Sequence, residues 1–112
     1  MKAVFHFSSP DTDRVSELLG NLKNLREDET VDMESIAVVM NGDGVKFARK
    51  NSEASEYFSE ELSEDIEIKV CSNSLEGRGI DSEELLDGVE VVSSGVGELN
   101  RLQDRDYNYI RP

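Results

Sequence analysis

The sequence predicts an α/β fold: a three-layer α/β/α sandwich around a five-stranded, parallel or mostly parallel sheet, in one domain over residues 1–112. Three observations carry this expectation. Strand-like and helix-like segments alternate along the whole chain, the signature of a sheet with helical crossovers on both faces. One strand-like segment, 35–40, is continuously apolar (Ile36-Ala37-Val38-Val39-Met40) rather than alternating, as a central strand covered on both faces must be. No internal repeat, low-complexity run or linker interrupts the pattern.

The elements follow in order. Ala3-Val4-Phe5-His6-Phe7 is an apolar run stopped by Ser8-Ser9-Pro10, which predicts a buried strand. Asp11 or Thr12 is the residue type that caps a helix, and Val15, Leu18, Leu19, Leu22 and Leu25 form one helical stripe behind it. Strand 35–40 ends at Asn41-Gly42-Asp43-Gly44, and Val45, Phe47 and Ala48 open a helical segment. Ser52 is the expected cap of a second helix, with Ala54, Tyr57, Phe58 and Leu62 on one face. Residues 65–70 read as the third strand, with Cys71 following its last residue. After a short helical turn at 74–80, Asp81 begins a helical segment that ends near Gly88. Residues 89–92 are a fourth strand, Ser93-Ser94-Gly95 turns into a helix with Val96, Leu99 and Leu102 on one side, and 107–110 alternate as a terminal strand.

Charge bounds the partners. The chain of 112 residues carries 25 Asp and Glu against 12 Lys and Arg, a net charge of −13. Such a surface repels phosphate backbones and anionic lipids, so neither nucleic acid nor membrane is an expected partner. The acids are dispersed rather than gathered in a tail, and Lys is scarcer than Arg, the pattern expected of a halophilic protein in concentrated salt, with an ordinary acidic cytosolic protein as the alternative. No apolar run reaches the roughly 18 residues of a membrane span. The N-terminus is too short for a signal peptide before its strand begins, and one cysteine makes no internal disulfide, so a cytoplasmic location is expected.

Several chemistries common on such folds lack their residues. There is no phosphate-cradling Gly-x4-Gly-Lys-Ser/Thr loop, and the Gly-x-Gly of residues 42–44 has Phe47 where a dinucleotide fingerprint needs its third glycine. Asp11 and Asp13 oppose a flavin phosphate after the first strand. One His and one Cys form no metal cluster, and no cofactor is expected. His6 lies mid-strand, where a histidine is more often a satisfied core residue than a base.

That leaves Cys71. A free cysteine is commonly a small buried hydrophobe. Here it stands at a strand's C-terminal edge, before Ser72, Asn73 and Ser74, where helix-start N–H groups favour thiolate. Against this, the acidic field of the chain, with Glu67 and Glu76 close in sequence, raises a thiol pKa.

Five stretches taken in order then resemble the DsrE/DsrF-like family of small sulfur-relay-type proteins, over essentially the whole chain. They are Asn21-Leu22-Lys23-Asn24-Leu25, the apolar strand ending in Asn41-Gly42, Val70-Cys71-Ser72-Asn73-Ser74-Leu75, Ser94-Gly95-Val96-Gly97-Glu98-Leu99, and the ending Gln103-Asp104-Arg105-Asp106-Tyr107-Asn108-Tyr109-Ile110-Arg111-Pro112. The resemblance implies the DsrEFH-like sandwich, assembly into trimers or hexamers, and a cysteine after the third strand that carries a persulfide between a donor and an acceptor protein. Cys71 occupies that place. Ser72 to Ser74 are the expected backbone donors to it, Arg78 is a possible source of positive charge, and Asn41, Gly42, Ser94 and Gly95 are candidate borders of the same cleft. The alternative expectation is a non-catalytic oligomeric module, binding a small ligand or serving as an accessory subunit, with Cys71 as lining.

Overall fold

The computed structural model describes residues 1–112. Five strands, β1 (Lys2–Phe7), β2 (Ser35–Met40), β3 (Glu67–Cys71), β4 (Glu90–Val92) and β5 (Tyr107–Ile110), form one sheet in the order β4-β3-β2-β1-β5. Every pairing is parallel. The helices are α1 (Thr12–Glu27), α2 (Ser55–Ser63), α3 (Ser72–Gly77) and α4 (Gly95–Asp104), with 3-10 segments at Gly42–Ala48 and Ser82–Glu84. No helix is long and apolar enough to cross a membrane.

Strand order explains the distribution of helices. Parallel strands are joined by right-handed crossovers, so successive steps in one direction place their helices on one face. From β1 to β4 the chain steps steadily outward. Residues of α1, α2, α3 and the first 3-10 segment (among them Leu18, Phe58, Leu75 and Phe47), with Leu85 just after the second, accordingly share one large core with Phe5, Val38 and Ile68. The last step returns past the whole sheet to β5, and α4 lands on the opposite face. There Leu99 and Leu102 pack on Val4, Ala37 and Val39 in a small second core. β2, apolar on both faces, lies between them with Ala37–Met40 fully buried.

The second face is held partly by charge. Lys69 of β3 bonds Glu98 of α4 at 2.7 Å and Glu90 of β4 at 3.1 Å, and Arg101 also pairs with Glu98. Burial alone lowers the Lys69 ammonium and raises the Glu98 carboxyl. The opposed charges win in both, leaving Lys69 above and Glu98 below its ordinary value. On the first face, Glu61 of α2 is buried and takes two hydrogen bonds from Arg26 of α1, at 3.0 and 3.2 Å.

Four expectations are corrected. Asp65 is not strand: its φ of 64° makes the turn into β3, a conformation Asp tolerates. Cys71 is the last residue of β3 rather than the residue after it. Residues 81–86 do not form a helix; a capping box between Asp81 and Glu84 closes a single 3-10 turn, after which Leu85 bridges Arg49 in extended form. Tyr57 and Val96 do not join the packed faces of their helices and are 61% and 60% exposed.

Candidate functional site

The C-terminal ends of β3 and β4 send the chain to opposite sides of the sheet. β3 continues into α3 on the large-core face, and β4 into α4 on the other. Such a divergence is the usual ligand position in open α/β sheets. Cys71 and the Ser94-Gly95 start of α4 stand on its two sides, packed together, and neither lines any of the five main clefts.

Each side has a local cause. Ser94 is the N-cap of α4, its hydroxyl accepting the Gly97 N–H at 3.0 Å. That fixes the first turn and aims the Gly95 N–H at the Cys71 sulfur. Gly95 has no room for a side chain: a Cβ there meets the Asn41 Cβ at 3.0 Å. Gly42, just after β2, adopts φ +55°, where glycine carries no steric cost. Its N–H donates to the Ser74 hydroxyl at 2.8 Å. With its lone pair so engaged, Ser74 has its own O–H proton free for Cys71.

Cys71 is 6% exposed. Burial pushes its thiol up. Against it act hydrogen bonds from the Ser74 hydroxyl and then from the backbone N–H groups of Gly95, Ser74 and Asn73. Four donors converging on one sulfur outweigh desolvation, and the thiol is held below its ordinary value. At six residues α3 contributes through these directed N–H groups rather than through a long macrodipole.

The predicted residues are therefore partly assembled. Asn73, Ser74 and Gly95 reach Cys71 directly. Gly42 acts through Ser74, Asn41 through Gly95, and Ser94 by capping α4. Ser72 opens α3, half-buried, with no side-chain hydrogen bond of its own. Arg78 turns away: it pairs with Asp43 at 2.9 Å and donates to the Ser74 carbonyl at 3.1 Å, bracing the loop. His6 does not reach the sulfur. Its Nε2 donates to Asn41 Oδ1 at 2.9 Å, and its Nδ1 meets the Tyr109 hydroxyl at 2.6 Å and Arg111 at 3.1 Å.

Comparison with known proteins agrees with this fold. Residues 1–112 match the model of the DsrE/DsrF-like family. The structure of MTH1491 from Methanobacterium thermoautotrophicum, a protein of unknown function, superposes with a TM-score of 0.92 at 40% identity, over 99% of this chain and 98% of that one. BT1422 from Bacteroides thetaiotaomicron (TM-score 0.80, 18% identity, 99% and 94% covered) and ychN from E. coli (TM-score 0.79, 17% identity, 100% of both) share the fold. Among curated protein sequences none matches.

Proposed function

We propose, from the premise that the chain belongs to the DsrE/DsrF-like family, that it is a single-cysteine sulfur carrier with a persulfide on Cys71. The observation that carries the reading is the set of four donors on the Cys71 sulfur, which favours the thiolate against the burial that opposes it. The thiolate attacks the terminal sulfur of a donor persulfide, R–S–SH. An S–S bond forms at Cys71, the donor's S–S bond breaks, and the donor leaves as R–S⁻. An acceptor thiolate repeats the exchange and restores Cys71. The same donors that hold the thiolate stabilise the anionic persulfide, and no metal or second cysteine enters the cycle.

The partners in this reading are a donor protein or small persulfide, an acceptor protein, and further copies of the chain in a trimer or hexamer. Support for self-association is the family resemblance together with Val96 and Tyr109, exposed apolar groups at 60% and 43% on the side of the sheet that α4 only partly covers.

A transfer assay tests the relay. The protein is loaded from glutathione persulfide, freed of donor, and mixed with an acceptor thiol. Sulfur should appear on the acceptor with the wild type and not with Cys71→Ala; equal transfer from both rejects the carrier reading. One observation favours a second reading. A thiol only 6% exposed supports Cys71 as a packed residue of a non-catalytic ligand-binding or accessory module, and that reading expects no loading at all.

A further inference from the structure

A strand-end cleft that does not include Cys71 lies beyond β1. It encloses about 340 Å³ and is lined by His6, Phe7, Ser8, Ser9, Arg14, Arg111 and Pro112. In a chain with 25 acidic residues its lining contains no Asp or Glu, whereas each of the other four main clefts includes at least one. Taken from sequence, Asp11 and Asp13 weigh against an anion after β1. Neither lines the cleft, and β5 brings Arg111 across to it from the far end of the chain.

We propose that this cleft binds a small tetrahedral oxyanion, a free phosphate or a phosphate monoester, between Arg111 and Arg14. Arg111 is preset for such a ligand. It has no carboxylate partner and donates to two neutral acceptors, Ser8 Oγ at 3.0 Å and, at 3.1 Å, His6 Nδ1, whose lone pair it shares with the Tyr109 hydroxyl at 2.6 Å. Two of the five guanidinium N–H donors are used this way, which leaves three for a ligand in the fork geometry that matches an oxyanion.

His6 is suited to holding the guanidinium. Burial lowers it, the Asn41 hydrogen bond works the other way, and Arg111 lowers it further, so the ring stays neutral and Nδ1 remains an acceptor. Arg14 forms the opposite wall. Its one ion pair, to Glu17 at 3.3 Å, is exposed on both sides and weak enough for the guanidinium to turn to a ligand.

Calorimetric titration of the full chain with inorganic phosphate and with phenyl phosphate, at ionic strength held constant with NaCl, tests this. One saturable site is expected, weakened at least tenfold by Arg111→Gln and several-fold by Arg14→Gln. Tighter phenyl phosphate binding marks the ligand as an ester, and equal affinity marks it as the free anion. Cys71→Ala binds as the wild type does, which keeps this result independent of the sulfur reading. Absence of saturable binding to either probe, or affinity unchanged in both arginine variants, overturns the proposal.

Discussion

The Ser74 hydroxyl accepts the Gly42 N–H at 2.8 Å and, beside Cys71, helps hold its thiol below the ordinary value. One serine thus ties the turn after β2 to the thiol at the end of β3. Removing the hydroxyl leaves the backbone donors in place but takes away the largest of the contributions that lower the thiol. Ser74→Ala is therefore expected to slow Cys71 alkylation at pH 7 roughly five- to tenfold, the worth of about 1 kcal/mol for one hydrogen bond. Iodoacetamide labelling at graded pH, read by mass spectrometry, measures it. The wild-type profile should rise below the ordinary thiol range, and the variant's should move upward.

Glu98 makes stability depend on acid. Its folded carboxyl lies below its ordinary value, so the stability it contributes is complete above the ordinary Glu range and is lost as pH falls through the lowered folded value. Glu98→Gln leaves Lys69 buried with only the exposed Glu90 as partner. A loss of roughly 3 kcal/mol at pH 7 is expected, a Tm drop on the order of 10–20 °C. Thermal melts with and without molar salt check this: salt should not restore the loss, because a buried pair is little screened.

His6 should titrate below the usual histidine range. A base with a depressed folded pKa gives stability that is complete above the unfolded value and is lost as pH falls through the folded one. The ring carries its proton on Nε2, since Asn41 Oδ1 only accepts. Nitrogen-15 NMR of the imidazole should show that tautomer at neutral pH. Arg111→Gln should raise the titration point, by relieving a like charge, and Asn41→Ala should lower it.

A side chain at Gly95 should loosen the packing around Cys71. Gly95→Ala brings a Cβ to 3.0 Å from the Asn41 Cβ and pushes the start of α4 away from the sulfur. Slower alkylation of Cys71 is expected, with a stability cost of about 1 kcal/mol, measured by urea unfolding.

The layers of the fold were legible because burial leaves a pattern in one dimension. The unbroken run Ile36–Met40 marked the central strand, and Val15, Leu18 and Leu22 marked the face of α1. Errors arose where a partner far along the chain decided. Tyr57 has the spacing of a buried residue and Glu61 the charge of a surface one. The buried face of α2 instead turns toward Glu61, because Arg26 waits on α1 to pair with it. Leu85 and Leu86 suggested a helix that the extended bridge from Leu85 to Arg49 prevents.

The site divides the same way. Cys71 and the capping residues Ser72 to Ser74 after it were visible as neighbours in sequence, and of these Asn73 and Ser74 are the ones whose N–H groups lower the thiol. That Gly42 acts through Ser74, and that Arg111 and Tyr109 hold His6, depends on strand order across 32 and more than 100 residues. Strand order was not written in any local pattern. Once it is known, the divergence of the chain after β3 and β4 places Gly95 opposite Cys71.

The central claim is that Cys71 is a thiolate that accepts sulfane sulfur. Intact-mass measurement after incubation with glutathione persulfide at pH 7 tests it most directly. The account predicts a gain of one sulfur atom that maps to Cys71, is removed by dithiothreitol and is absent in Cys71→Ala. An unchanged mass, or an added sulfur that persists in Cys71→Ala, would contradict it.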